Sequence, residues 1–334
     1  MLNGVNLHFR AFEDRDYERL AEISSAIEPR TSSTAQSLRY RDATLEPRVR
    51  MVRIVAETET DTVVAAGQLM HIWWAYHPRR YLLRLEVDPA WQHHGIGSAL
   101  FDRLLAELTN WGADLVRTEA PSLRPAAIAF LEHRGFCEWR RRWESSLDVA
   151  TANVERLVEA HERVLSSGIA ITTYADEETR RGKRLAHEVY AADTLFGSDE
   201  PAQAVDDGSE SMSFERFAAT QLDSPDVLPS AHFLALDEER IVGVSRLRRD
   251  SKHADVLYQE LTGTDPEYRG RGIAQALKLR TIQFARENGF RQIRTSNDST
   301  NAPMLHINDT IGFQRKAPTI ILERRFDEPG ASSP

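Results

Sequence analysis

Cysteine is almost missing from this chain: Cys137 is the only one in 334 residues. A single thiol excludes an intrachain disulfide framework and suits a reducing compartment, so a cytoplasmic location is expected. Cys137 follows Gly135-Phe136 into a strand-like run and reads as a structural thiol. Long apolar runs are missing too, and nothing approaches the roughly 20 residues of a membrane-spanning helix. Met1-Leu2-Asn3-Gly4 runs directly into strand-like residues, without a charged and then apolar leader, so no signal peptide is expected. Basic stretches are short, as at Arg140-Arg141-Arg142, and the net charge is −9. No nucleic-acid partner is therefore expected. The adjacent His93 and His94 have no Cys/His cluster to complete a ligand sphere, so no metal is expected.

What remains is ordinary for a globular protein, with 41% hydrophobic and 28% charged residues. The length suits about two domains, and a repeat assigns them. Val87-Asp88-Pro89-Ala90-Trp91-Gln92-His93-His94-Gly95-Ile96-Gly97 is echoed by Thr264-Asp265-Pro266-Glu267-Tyr268-Arg269-Gly270-Arg271-Gly272-Ile273-Ala274. The offset of 177 also carries Tyr81 to Tyr258, Arg103 to Arg280, Gly112 to Gly289, Arg117 to Arg294 and Gly135-Phe136 to Gly312-Phe313. One register held without a gap over so long a stretch points to a duplicated structural unit.

Each copy follows an apolar strand-like run and opens an amphipathic helix. A strand, a glycine-rich turn and a helix N-terminus together make an anion cradle, because unpaired amides point outward and glycine removes an obstructing Cβ. There is no Gly-x-x-x-x-Gly-Lys-Ser/Thr loop, and Leu100 stands where a dinucleotide fingerprint needs its third glycine. The expected fold class is α/β, a mixed sheet flanked by helices, built twice. The expected bounds are 1–148 for the first unit, 149–168 for a helical linker and 169–326 for the second unit, with a disordered tail at 327–334. An acidic insertion near Ala191 to Ser213, with Asp199, Glu200, Asp206, Asp207 and Glu210, reads as a solvated loop or as a lure for a cationic amine.

The pattern Pro-x-x-Arg/Gln-x-x-Gly-x-Gly/Ala resembles the acyl-CoA pyrophosphate loop of the GNAT superfamily of N-acyltransferases, here in tandem. The resemblance implies acetyl-CoA as cosubstrate, a primary amine on a small molecule as acceptor, direct attack in a ternary complex, and a monomer or homodimer. In the second unit it implies cofactor contacts from Thr262, Gly263, Thr264, Arg269, Gly270, Arg271, Gly272, Ile273 and Ala274. In the first it implies Leu85, Glu86, Val87, Gln92, His93, His94, Gly95, Ile96 and Gly97. Asn301, which opens the segment ending in Gly312-Phe313, is read either as a cofactor ligand or as a helix cap.

Many members of the family carry a tyrosine acid four residues before this glycine; here Asn308 and Leu131 occupy that place. An alkyl amine is only about 0.1% neutral at pH 7, so a base matters more than an acid. Glu260 is the candidate, read either as a direct or water-mediated base or as a surface or substrate-orienting carboxylate; by alternation it shares a face with Tyr258, Thr262 and Thr264, and it aligns with Leu83. The second unit is expected to be the catalytic one. The competing class is a non-catalytic acyl-CoA-binding or sensor protein.

Overall fold

The computed structural model describes residues 6–29, 33–197 and 208–326. The expected disordered tail at 327–334, and Asp199 to Asp207 of the acidic insertion, lie outside the described residues. The chain divides into two compact units. The first runs to Trp139 and includes Gly208–Glu210 and the chain from Ile320; the second holds the rest.

The first unit begins with β1 (Leu7–Ala11), α1 (Tyr17–Ile27) and α2 (Ala35–Ala43). It continues through β2 (Met51–Thr58), β3 (Val63–His71), β4 (Arg80–Val87), α3 (Ile96–Asn110), β5 (Leu115–Pro121) and α4 (Pro125–Glu132). Strands β1 to β4 pair antiparallel in chain order, and β4 pairs β5 in parallel. Leu100, Leu104 and Leu108 of α3 are spaced to face the sheet and are buried. Each such leucine contributes about 1.5–3 kcal/mol of burial. Gly67 on β3 lets α3 lie close, since a Cβ there would stand 2.8 Å from Leu104 Cδ1.

The strand β6 (Cys137–Asp148) belongs to the second unit from Arg140 onward. There follow α5 (Glu155–Ser166), β7 (Ala170–Thr173), α6 (Tyr174–Arg181), α7 (Arg184–Gly197), β8 (Val227–Asp237) and β9 (Arg240–Arg249). Then come β10 (Val256–Thr264), α8 (Ile273–Glu287), β11 (Gln292–Asp298), α9 (Ala302–Ile311) and β12 (Thr319–Arg325). Strands β7 to β10 repeat the antiparallel order of the first unit, and β10 pairs β11 in parallel.

The sixth strand of each sheet is exchanged. Strand β6 pairs with β11 from Gln292↔Asp148 to Asp298↔Arg142, whereas β12 lies beside β5, with Ile320 and Leu322 in the first core. The stretch from 140 to 148, expected within the first unit, therefore serves the second. Pairing between distant segments, not local sequence, decides which unit each strand completes. The expected linker helix is also part of a unit, for α5 buries Leu157, Ala160 and Val164 within the second.

Candidate functional site

The two motif loops share one backbone. Asp88 and Asp265 have identical dihedrals (φ −47°, ψ 129°), and each side chain accepts from the amide two residues on. Gly95 (φ 81°) and Gly272 (φ 89°) are left-handed caps of α3 and α8, with no capping side chain. The left-handed residue two before the cap is Gly270 (φ 76°) in one loop and His93 (φ 65°) in the other.

The first amides of each helix thus lack both an intrahelical acceptor and a cap. At Gly270 a Cβ would meet nothing within 4 Å, so open space faces the loop. At Gly272 a Cβ would stand 3.3 Å from Ala160 Cβ on α5. Buried Thr264 Oγ1 at the end of β10 lacks a hydrogen-bond partner. These features suit an anionic group at Gly270, Arg271, Gly272, Ile273 and Ala274, and at Gly95, Ile96 and Gly97 in the first unit. Ile96 and Ile273 are themselves buried anchors at each helix start.

Some loop residues have structural work. Gln92 Nε2 donates to the Val87 carbonyl at 3.1 Å, and Arg269 Nε reaches the matching Thr264 carbonyl at 3.4 Å. Both tie the loop to its strand. A ring nitrogen of His94 lies 2.8 Å from the Gln92 carbonyl oxygen, and Arg271 stacks over Tyr268. Asn301 caps α9, accepting from the Met304 amide at 3.3 Å. Leu85 lies toward α3, while Glu86 points the other way and accepts from the Ser24 hydroxyl on α1.

Next to each loop the parallel strands part. Register pairing between β4 and β5 ends at Leu82↔Arg117, and between β10 and β11 at Gln259↔Thr295. Leu85–Val87 and Thr262–Thr264 lie beyond those points. Gly263 is required there by packing, because a Cβ would stand 2.6 Å from Phe196 Cβ on α7.

The strands upstream of the loops are not equivalent. Ser245 faces Thr262 and Leu247 faces Gln259, so Arg246 alone stands opposite both Glu260 and Leu261. This is a β-bulge, and the β3–β4 pairing shows none. The extra residue slips the repeat by one: Leu257, not Tyr258, takes the place of Tyr81 opposite the next strand, as Leu257↔Ile293 matches Tyr81↔Val116. The alignment of Glu260 with Leu83 is therefore corrected, and Gln259 occupies that place. The expected face is corrected too. Thr262 bonds Ser245 on the α8 side, whereas Glu260 joins Tyr258 on the face covered by α7.

On that face Glu260 bridges two arginines, with Oε1 2.8 Å from Arg248 Nη1 and Oε2 3.0 Å from Arg246 Nε. Arg246 continues to Asp193 on α7 at 2.7 Å. Burial pushes the Glu260 carboxyl up, but Arg248 and Arg246 together hold it below the ordinary range. Asp193, with one arginine, is pushed up by burial. Composition gave no signal for these partners, because the bulge and the α7 approach bring them in.

The second unit also has a polar interior where the first is apolar. Phe101, Leu104, Ala120 and Leu131 belong to one buried cluster. Their counterparts at the 177 offset are Lys278, Thr281, Asn297 and Asn308, all buried. Asn308 Nδ2 donates to Asn297 Oδ1 at 2.8 Å, while its own Oδ1 has no partner. Lys278 is 2% exposed, lies 5.4 Å from the Phe313 ring, and is pushed by burial down to about 7. Aligning the two halves and asking where apolar became polar would have found these residues in the sequence.

Among the described residues no helix is long and apolar enough to cross a membrane, and no group of three or more metal-ligating side chains gathers.

Known proteins agree with this architecture. The chain is 27% identical over 270 residues to a mycothiol acetyltransferase of Rhodococcus opacus, covering 79% of this chain and 80% of that one. The same holds for the Rhodococcus jostii mycothiol acetyltransferase. A GCN5-related N-acetyltransferase from Sphaerobacter thermophilus has a similar fold, with TM-score 0.68, 17% identity and 98% of both chains covered. So does a tandem GNAT protein from the clavulanic acid biosynthesis pathway, with TM-score 0.69, 16% identity and 98% and 100% covered. The sequence model of the Acetyltransferase (GNAT) family matches twice, at residues 17–136 and 198–313. The matches span more than half of the chain, one in each repeat, and the chain belongs to the GNAT family of acetyl-CoA-dependent acetyltransferases.

Proposed function

We propose that the second unit transfers the acetyl group of acetyl-CoA to a primary amine of a small molecule by direct attack in a ternary complex. The first unit holds acetyl-CoA without transferring it. The observation that carries this reading is the divergence of two units with one loop backbone. Only the second adds a half-buried carboxylate on a bulge and a buried polar cluster in its interior. Curated relatives named as acetyltransferases support the reaction class.

The amides from Gly270 to Ala274 and the α8 N-terminus hold the phosphates, Arg269 and Arg271 add positive charge, and Thr262 to Thr264 give an unpaired strand edge. Acetyl-CoA supplies a thioester whose thiol has a pKa near about 8.5, so its thiolate leaves readily. The amine must lose a proton first. Glu260 is ionised at neutral pH because two guanidiniums hold it so, and a carboxylate held this way is a weak base. Its part is to orient the ammonium and relay the proton through water.

Glu260→Gln is expected to lower kcat about 10²-fold while leaving acetyl-CoA affinity unchanged. Because the Glu260 carboxyl is lowered, its own titration lies below the ordinary carboxylate range, and any rate limb near neutral pH belongs to the acceptor. Steady-state kinetics with a competent amine checks both points. Wild-type kcat in the variant would remove Glu260 from the mechanism.

A further inference from the structure

The parting of β10 and β11 brings a set of polar side chains together on the face covered by α7. Tyr258 pairs with Arg294 just before the strands separate. Two residues further along each strand, Glu260 and Ser296 therefore flank the opening on that same face. Asn297 points the other way, to Asn308 on α9. Ser296 in turn stands opposite Glu144 on β6.

Tyr258 is half-buried, and its phenol lies beside Ser296, whose Oγ is buried without a hydrogen bond. Apart from Ser296, no described residue offers the phenol a hydrogen bond. The charges acting on it are those of Arg142, Glu144 and Glu260. Burial pushes the phenol up to about 12, so it keeps its proton at neutral pH. It can accept a hydrogen bond from an N–H group but does not take the proton away. Buried hydroxyls left without full partners are costly, and the first unit carries none here. Leu82 pairs with Arg117 there as Tyr258 pairs with Arg294. Glu119, at the 177 offset from Ser296, reaches Arg84 at 3.9 Å.

On the reading that Glu260 orients the acceptor amine, we propose that Tyr258 is a second residue binding that amine. Its phenol oxygen accepts one N–H while Glu260 accepts another, and Ser296 is the positioning residue that fixes the phenol. A primary amine still has two N–H groups after losing its proton. Two oxygens on one strand face then hold it and leave its lone pair for the thioester at Thr262 to Thr264. The site thereby selects primary over N-alkylated amines.

The test is calorimetric titration of the Gly95→Asp chain with coenzyme A carrying an S-linked aminoethyl group, and with the dimethylamino form of that compound. Both carry the same ammonium charge, but the dimethyl form keeps one N–H, enough for Glu260 and none for Tyr258. The aminoethyl compound is expected to bind about tenfold more tightly, the worth of one hydrogen bond. Tyr258→Phe should erase that preference and Ser296→Ala should reduce it. Affinity for unmodified coenzyme A should stay unchanged in both, and circular dichroism verifies the fold. Equal binding of the two compounds by the parent chain, or a preference that survives Tyr258→Phe, would overturn the assignment of Tyr258 while leaving the cofactor site standing. Absence of coenzyme A binding altogether would overturn the second-unit cofactor site, and this assignment with it.

Discussion

Acetyl-CoA binding by the second unit is expected to disappear in Gly272→Asp, and turnover with it. Gly272 has φ 89° and caps α8 without a side chain. An aspartate there adds a left-handed strain of about 1–2 kcal/mol and presses on Ala160, 3.3 Å from the new Cβ. Its carboxylate would also occupy the amides and dipole that a phosphate needs. Gly272→Ala separates the causes, since it carries the strain and the contact without the charge. Calorimetry in a Gly95→Asp background, where the other loop is disabled, reads the site alone. The alanine variant is expected to bind weakly and the aspartate variant not at all. Unchanged affinity in the aspartate variant would rule out this loop as the cofactor site.

The second large effect concerns Lys278. Its folded-state pKa is about 7 against an ordinary 10.5. Between those values the unfolded chain holds a proton that the folded chain lacks, so stability rises with pH across that window. Below about pH 7 both states are protonated and the folded protein carries the full cost of a buried ammonium. Lys278→Met removes that cost. The variant is expected to be more stable near neutral pH by on the order of a few kcal/mol, with the advantage shrinking steadily as pH rises toward the ordinary value of 10.5. Denaturant unfolding at several pH values checks this. A pH-independent gap would show that Lys278 does not titrate in the folded protein. A buried lysine kept at this cost on this account serves the site rather than the core, so the stabilised variant is also expected to lose activity.

Much of this was legible in the sequence because it is local. The loops, caps and helix starts follow from Asp88-Pro89 and Asp265-Pro266, from Gly95 and Gly272, and from apolar spacing along α3 and α8. What escaped depends on pairing between distant segments. An ungapped repeat hid the bulge, since the extra residue at Glu260–Leu261 shifts strand register while the sequence offset downstream stays at 177. That single residue decides which face Glu260 occupies, and so its partners Arg246 and Arg248. The exchange of β6 and β12 was hidden for the same reason. Arg269 and Gln92, both expected at the cofactor, also bond the end of the preceding strand, a role that only the folded loop reveals. Asn301 caps α9, one of the two roles its position allowed.

The central claim is that the two units share a loop but not a function, with transfer confined to the second. Release of free CoA thiol by the Gly95→Asp protein, in the presence of a competent amine, tests this most directly. The account predicts near wild-type turnover, together with loss of the stabilisation that acetyl-CoA gives the first unit. Loss of turnover in this variant, with its fold and its second-unit acetyl-CoA binding intact, would contradict it.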